Sequence, residues 1–132
     1  MARLFRVILP VVDIDRAAHV YGELLGITGE RVSTGRHYFD CGGTILACFD
    51  SAADGDGPAE PTRYQDGHYL YFAVPDVDAT HRAAKRLGFK ILEGGVQAMP
   101  WGERMFWAVD PFGNPVSFVA EKTVFRGSAK PA

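Results

Sequence analysis

The second half of the chain repeats the plan of the first about sixty residues later. Each half opens with an apolar strand, passes through a short acidic turn into an Ala-rich helix that ends at Gly, and continues in further short strands. Val12-Asp13-Ile14-Asp15-Arg16-Ala17 answers Pro75-Asp76-Val77-Asp78-Ala79-Thr80, and Leu24-Leu25-Gly26-Ile27 answers Arg86-Leu87-Gly88-Phe89. A chain doubled in this way is expected to fold as two like modules, each βαβββ, in the α+β class.

The elements follow from local chemistry. Leu4 to Val12 is apolar and β-branched, and Asp13 or Asp15 can accept from the unpaired N–H groups that begin the next helix. The buried stripe of that helix is expected at Ala17, Val20 or Tyr21, and Leu24, with Gly26 at its end. Glu30 to Ser33, His37 to Cys41 and Thr44 to Phe49 read as a meander turned at Thr34-Gly35 and Gly42-Gly43. The stretch from about 51 to 67, polar and rich in Gly and Pro, reads as the linker between module one (about 4–50) and module two (about 68–122).

Module two is expected to run through a strand from His68 to Val74 and a helix from about Val77 to Leu87. A short strand over Lys90 to Glu93 follows, then a loop from Val96 to Glu103. The strand Arg104 to Val109, the turn Asp110-Pro111-Phe112-Gly113-Asn114 and the strand Pro115 to Glu121 complete it, and residues 123–132 form a tail.

Composition narrows the function. At 132 residues with 47% hydrophobic content, the chain can build one sizeable core or two small halves, grouped as a single domain over 1–132. A formal charge of -2 with scattered Lys and Arg gives no nucleic-acid footprint, so a small-molecule partner is expected. The apolar run from Val7 to Val12, broken by Pro10, is too short for a signal segment or a membrane span. Two cysteines, Cys41 and Cys48, suit reduced thiols in a cytoplasm better than a disulfide framework. No Gly-x-Gly-x-x-Gly, P-loop or Cys-x-x-Cys pattern is present, so neither a nucleotide cofactor nor a structural zinc is expected.

Val12-Asp13-Ile14-Asp15 through Tyr21-Gly22-Glu23-Leu24-Leu25-Gly26, together with Trp107-Ala108-Val109-Asp110-Pro111-Phe112-Gly113-Asn114-Pro115-Val116, resembles the vicinal oxygen chelate superfamily. That group includes glyoxalase I, extradiol dioxygenases, fosfomycin-resistance transferases and bleomycin-binding proteins. The resemblance spans roughly residues 4 to 122, and the Asp-Pro-x-Gly turn is its more specific element. It implies two βαβββ modules forming glyoxalase-like half-barrels around a cup. In the metalloenzymes of the group, His and Glu side chains hold one divalent ion that a substrate with adjacent oxygens chelates.

The positions that the resemblance assigns to metal ligands carry other chemistry here. Counted back from Asp13 and Asp76, the first-strand positions are Arg6 and Tyr69; in the last strand the position is Ser117, and by the internal repeat Leu46, with Cys48 next on its face. A guanidinium offers only donors and cannot bind a metal. Arg6, Tyr69 and Ser117 could instead hold a carboxylate, phosphate or enolate oxygen, with Leu46, Cys48, Met105 and Trp107 as apolar walls. Plain packing or solvent contact is the competing reading for each of Arg6, Tyr69 and Ser117. Trp101, on a Pro- and Gly-flanked loop, could stack on a planar ligand or merely cover an edge.

A different register would bring His68 inward through a β-bulge, and His37, His68 and Glu121 would then be the alternative ligands for one divalent metal ion. The expectation is a metal-independent binder of a small hydrophobic or aromatic acidic molecule, self-associating as a homodimer, with no cofactor and no nucleic-acid or membrane partner. The alternative is a metal-dependent lyase or dioxygenase with displaced ligands.

Overall fold

The computed structural model describes residues 2–58 and 68–125. In chain order the elements are β1 (Arg6–Pro10), α1 (Ile14–Leu25), β2 (Glu30–Ser33), β3 (Arg36–Cys41), β4 (Thr44–Phe49), β5 (Leu70–Val74), α2 (Val77–Arg86), β6 (Lys90–Ile91), β7 (Gln97–Ala98), β8 (Arg104–Val109) and β9 (Pro115–Ala120). A single 3-10 turn, Glu121–Thr123, follows. The fold is α+β. The strands make a four-stranded sheet in the order β1-β4-β3-β2 and a five-stranded sheet in the order β5-β9-β8-β6, with β7 also on β8. Two compact units result, the first comprising Met1–Gly67 with Asp110–Asn114 and the second comprising His68–Val109 with Pro115–Ala132.

In the first unit, β1 lies parallel to β4, while β3 runs antiparallel to β4 and to β2. Asp13 stands in extended backbone and accepts from Arg16 N–H, so it caps α1. Gly26 closes the same helix at φ 70°, a left-handed conformation that only glycine adopts readily, and its N–H reaches Gly22 O. Ile14, Ala17, Val20, Tyr21 and Leu24 form the buried stripe of α1, which packs on β3 and β4. The face of the sheet under that helix carries Leu9, His37, Phe39, Leu46 and Cys48, since Leu9 pairs with Cys48, Cys48 with His37 and Leu46 with Phe39.

The turn at Asp110–Asn114 completes this unit. The Asp110 carboxylate accepts from the N–H groups of Phe112 and Asn114, the Asn114 side-chain amide and the Tyr21 hydroxyl. Asn114 Nδ2 also donates to Pro10 O at 2.9 Å. Burial pushes the Asp110 carboxyl above its ordinary range, and those four hydrogen bonds oppose the push.

The second unit has the same grammar. Asp76 caps α2 through Ala79 N–H, and Val77, Thr80 and Ala84 are its buried positions. The helix covers a sheet face built on Phe72, Phe106 and Phe118, three neighbours in one row across β5, β9 and β8. Phe106 and Phe118 stack at 5.3 Å, and His81 of α2 meets Phe106 edge-on at 5.1 Å.

Several boundaries differ from the sequence reading. The first strand begins at Arg6 and not Leu4, and β5 begins at Leu70, leaving His68 and Tyr69 outside it. The expected loop from Val96 to Glu103 contains β7, paired through Gln97 with Met105 and Ala98 with Arg104. Ser51 to Pro58, the first part of the expected linker, folds back in turns, with Asp54 binding Ser33, Gly35 N–H and Arg36. The rest of that linker, 59–67, and the tail from 126 lie outside the described residues.

Candidate functional site

The parity of β1 decides which first-sheet residues can meet a ligand. Arg6 pairs with Ile45 and Ile8 with Ala47, so Arg6, Ile8, Ala47, Phe49 and Tyr38 share the face away from α1. Arg6 is exposed there, its guanidinium 5.2 Å from the Phe5 ring centroid and 5.3 Å from that of Tyr38. Among the described residues no carboxylate pairs with it.

Leu46 and Cys48, expected beside Arg6 as cup walls, stand on the opposite face against α1. The ladder shows why. Arg6 opposes Ile45 and Ile8 opposes Ala47, so the module-one counterpart of Ser117 is Ala47, one residue from Leu46. A register slip of one residue turns every side chain to the other face of a sheet. Cys48 is fully buried, and burial, with the nearby Asp110 charge second, pushes its thiol up to about 12.

On the second sheet, Tyr71, Ser117 and Trp107 form one cross-strand row on the face away from α2. Trp107 Nε1–H donates to the Tyr71 hydroxyl oxygen at 3.2 Å, reaching over β9. Ser117 is completely buried beneath this contact and donates to Phe106 O at 3.0 Å. Its small side chain leaves room for the indole and the phenol to meet above it. Met105 occupies the next row with Val119 and is also fully buried. Tyr69 is half-buried, two residues ahead of Tyr71 and before the strand begins.

An open pocket of about 590 Å³ lies on this face, lined by Tyr71, Phe72, Ala73, Trp101, Glu103, Val119, Val124 and Phe125. Tyr71 is 55%, Trp101 56% and Phe125 75% exposed, which is unusual for three large rings around one hollow. Glu103 holds two of them in place. Its Oε1 accepts from Trp101 Nε1–H at 2.8 Å and its Oε2 from Phe125 N–H at 2.9 Å. Trp101 was expected at a ligand from the sequence, whereas Tyr71 and Phe125 were not. The signal for Tyr71 was alternation, since Tyr71 and Ala73 continue the face opposite Phe72. Phe125 fell in the expected tail and carried none.

The alternative metal donors fall in both units, His37 in the first and His68 and Glu121 in the second. His37 is buried beside α1, where Nδ1 accepts from Arg31 Nε–H at 3.4 Å and Nε2–H donates to Thr28 O at 2.9 Å, so both ring nitrogens are engaged. His68 is exposed ahead of β5, and Glu121 begins the 3-10 turn. Among the described residues no three His, Cys, Asp or Glu side chains come together as a metal site would require. At the positions that the resemblance assigns to metal ligands, Arg6 offers a guanidinium with donors only, Ser117 a buried hydroxyl and Tyr69 a half-buried phenol. No described helix is long and apolar enough to cross a membrane.

The family model described as Glyoxalase/Bleomycin resistance protein/Dioxygenase superfamily matches residues 3–118. No curated protein sequence is significantly similar. Solved structures share the fold. A glyoxalase/bleomycin resistance protein from Albidiferax ferrireducens T118 superposes with a TM-score of 0.71 at 20% identity, covering 88% of this chain and 96% of its own. A glyoxalase-related enzyme from Fulvimarina pelagi gives 0.69 at 19% identity, covering 97% and 94%. A lactoylglutathione lyase from Agrobacterium tumefaciens gives 0.63 at 18% identity, covering 92% and 96%.

Proposed function

The chain belongs to the Glyoxalase/Bleomycin resistance protein/Dioxygenase superfamily, and from that premise we propose that it is a metal-independent binder of a small hydrophobic or aromatic molecule. The observation that carries this reading is the pocket on the second sheet, where Tyr71, Trp101 and Phe125 stand exposed over a floor that includes Ala73 and Val119. Exposed rings around a hollow leave apolar area for a planar ligand to cover, and rings with few rotatable bonds lose little entropy on binding. Metal independence is supported by the donors themselves, since the guanidinium of Arg6 offers only donors, the module-one counterpart of Ser117 is Ala47, and His37 is committed to Arg31 and Thr28. Arg6, the expected anchor for an acidic group, is not among the residues lining this pocket, so an acidic group on the ligand is not part of the proposal. A homodimer and a cytoplasmic location belong to the same reading: β1 and β5 are edge strands, and both cysteines are free.

Two measurements test it. Ligand-observed NMR with a set of small aromatic compounds should give saturable binding that Trp101→Ala abolishes; binding that survives this change places the site elsewhere. Elemental analysis after dialysis against iron, manganese, zinc and nickel should find less than about a tenth of an equivalent retained. Retention near one equivalent would favour the metal-dependent lyase or dioxygenase reading instead.

A further inference from the structure

The same pocket has a charge preference. Building on the pocket reading above, we infer that its ligand is an organic cation, a planar or compact apolar body carrying an ammonium or amidinium group. Among the described residues that line it, Glu103 is the only ionisable acid or base apart from the phenol of Tyr71. None of these described lining residues is Lys, Arg or His, so none of them would balance a carboxylate or phosphate on the ligand. Arg104, next in sequence, is held away by Asp78 through two hydrogen bonds of 2.8 and 3.0 Å. Among the described residues Glu103 has no ion-pair partner; its oxygens accept only from the Trp101 indole and the Phe125 backbone.

These two bonds put the carboxylate at the junction of two aromatic walls and fix the Trp101 ring beside it. A carboxylate oxygen has two lone pairs, so each keeps capacity for a further donor. A cation entering the pocket meets ring faces, whose quadrupoles attract positive charge, with a fixed negative charge at their base. An anion meets the same groups with the opposite sign.

The test is calorimetric titration with three probes that share one ring system: (2-naphthylmethyl)trimethylammonium, 2-naphthalenemethanol and 2-naphthylacetate. The ammonium probe should bind about fivefold or more tighter than the alcohol, with the carboxylate weakest. Its advantage should shrink as salt is raised, because a half-exposed charge is screened. Glu103→Gln should remove most of the preference for the ammonium probe. Glu30→Gln, which removes an equal charge from exposed β2 of the first unit, should leave it intact and so controls for net charge. Equal binding of the three probes, or tighter binding of the carboxylate, would overturn the charge assignment and leave the aromatic pocket standing. Failure of all three to bind would overturn the pocket reading and this inference together. Should Glu103→Gln melt early, the salt dependence in the parent protein still decides, since a salt-insensitive advantage contradicts an ionic origin.

Discussion

The Tyr21 hydroxyl donates to Asp110 Oδ2 at 2.7 Å across 89 residues of sequence, with both side chains buried. It ties the middle of α1 to the turn that also takes the Asn114 amide, and hence to the Pro10 carbonyl at the end of β1.

Removing the donor leaves a buried carboxylate with one bond fewer. Tyr21→Phe keeps the ring and should cost about 1–3 kcal/mol, the range for an unsatisfied buried polar group. A differential scanning melt should show a drop of several degrees; an unchanged midpoint would mean that the other three donors suffice.

Gly113 sits in the same turn at φ 92°, where a β-branched side chain is strained. Gly113→Val should lower stability by about 1–3 kcal/mol, read by urea unfolding with an unchanged slope.

The Asp54 carboxyl lies below its ordinary value of 3.8, chiefly through Gly35 N–H, with the Ser33 hydroxyl and Arg36 adding to it. A carboxyl depressed in the folded state contributes stability above its unfolded value and loses it as pH falls through the folded one. Asp54→Asn should therefore melt below the parent at neutral pH, and the gap should close progressively below about pH 4. A gap of constant size from pH 7 to pH 2 would show that charge is not the cause.

Thiol chemistry separates the two cysteines. Cys48 is buried and pushed up to about 12, while burial raises half-buried Cys41 without hiding it. A chromogenic disulfide reagent at pH 8 should label Cys41 slowly in the native protein and reach Cys48 only in denaturant. Rapid native labelling of both would contradict the packing of β4 under α1.

Arg6→Ala removes an exposed cation stacked on Phe5 and Tyr38, worth about 0.5–1 kcal/mol at such a site. The melting point should shift only slightly, and titration of the ammonium probe should not change. Loss of binding to an acidic aromatic compound in this variant would restore the acid-anchor role that the sequence suggests.

Much of the fold was legible because its signals are local. Asp13 and Asp76 cap helices where the acidic turns stand, and β8 runs from Arg104 to Val109 as expected between a Gly- and Pro-rich loop and the Asp110 turn. The sites depend on register, which local signals do not carry. Leu46 and Cys48 were placed with Arg6 by transferring a position through the repeat, and the ladder sets Ala47 there instead. Ser117 was legible as small but not as the floor beneath Trp107 and Tyr71, because that contact crosses three strands. β7 has two residues, too few to show a period, and the Glu103 grip on Phe125 spans 22 positions.

Because Asp110–Asn114 belongs to the first compact unit, that unit is not a contiguous stretch of polypeptide. A ribosome that has reached only the end of β4 has not yet supplied the acceptor for Tyr21 or the donor for Pro10, so the first unit cannot complete these hydrogen bonds until Asp110–Asn114 has been made. The two repeats look separable on paper, yet a gene cut between them would leave the first fragment without its keystone, which would stay in the second as the turn between β8 and β9.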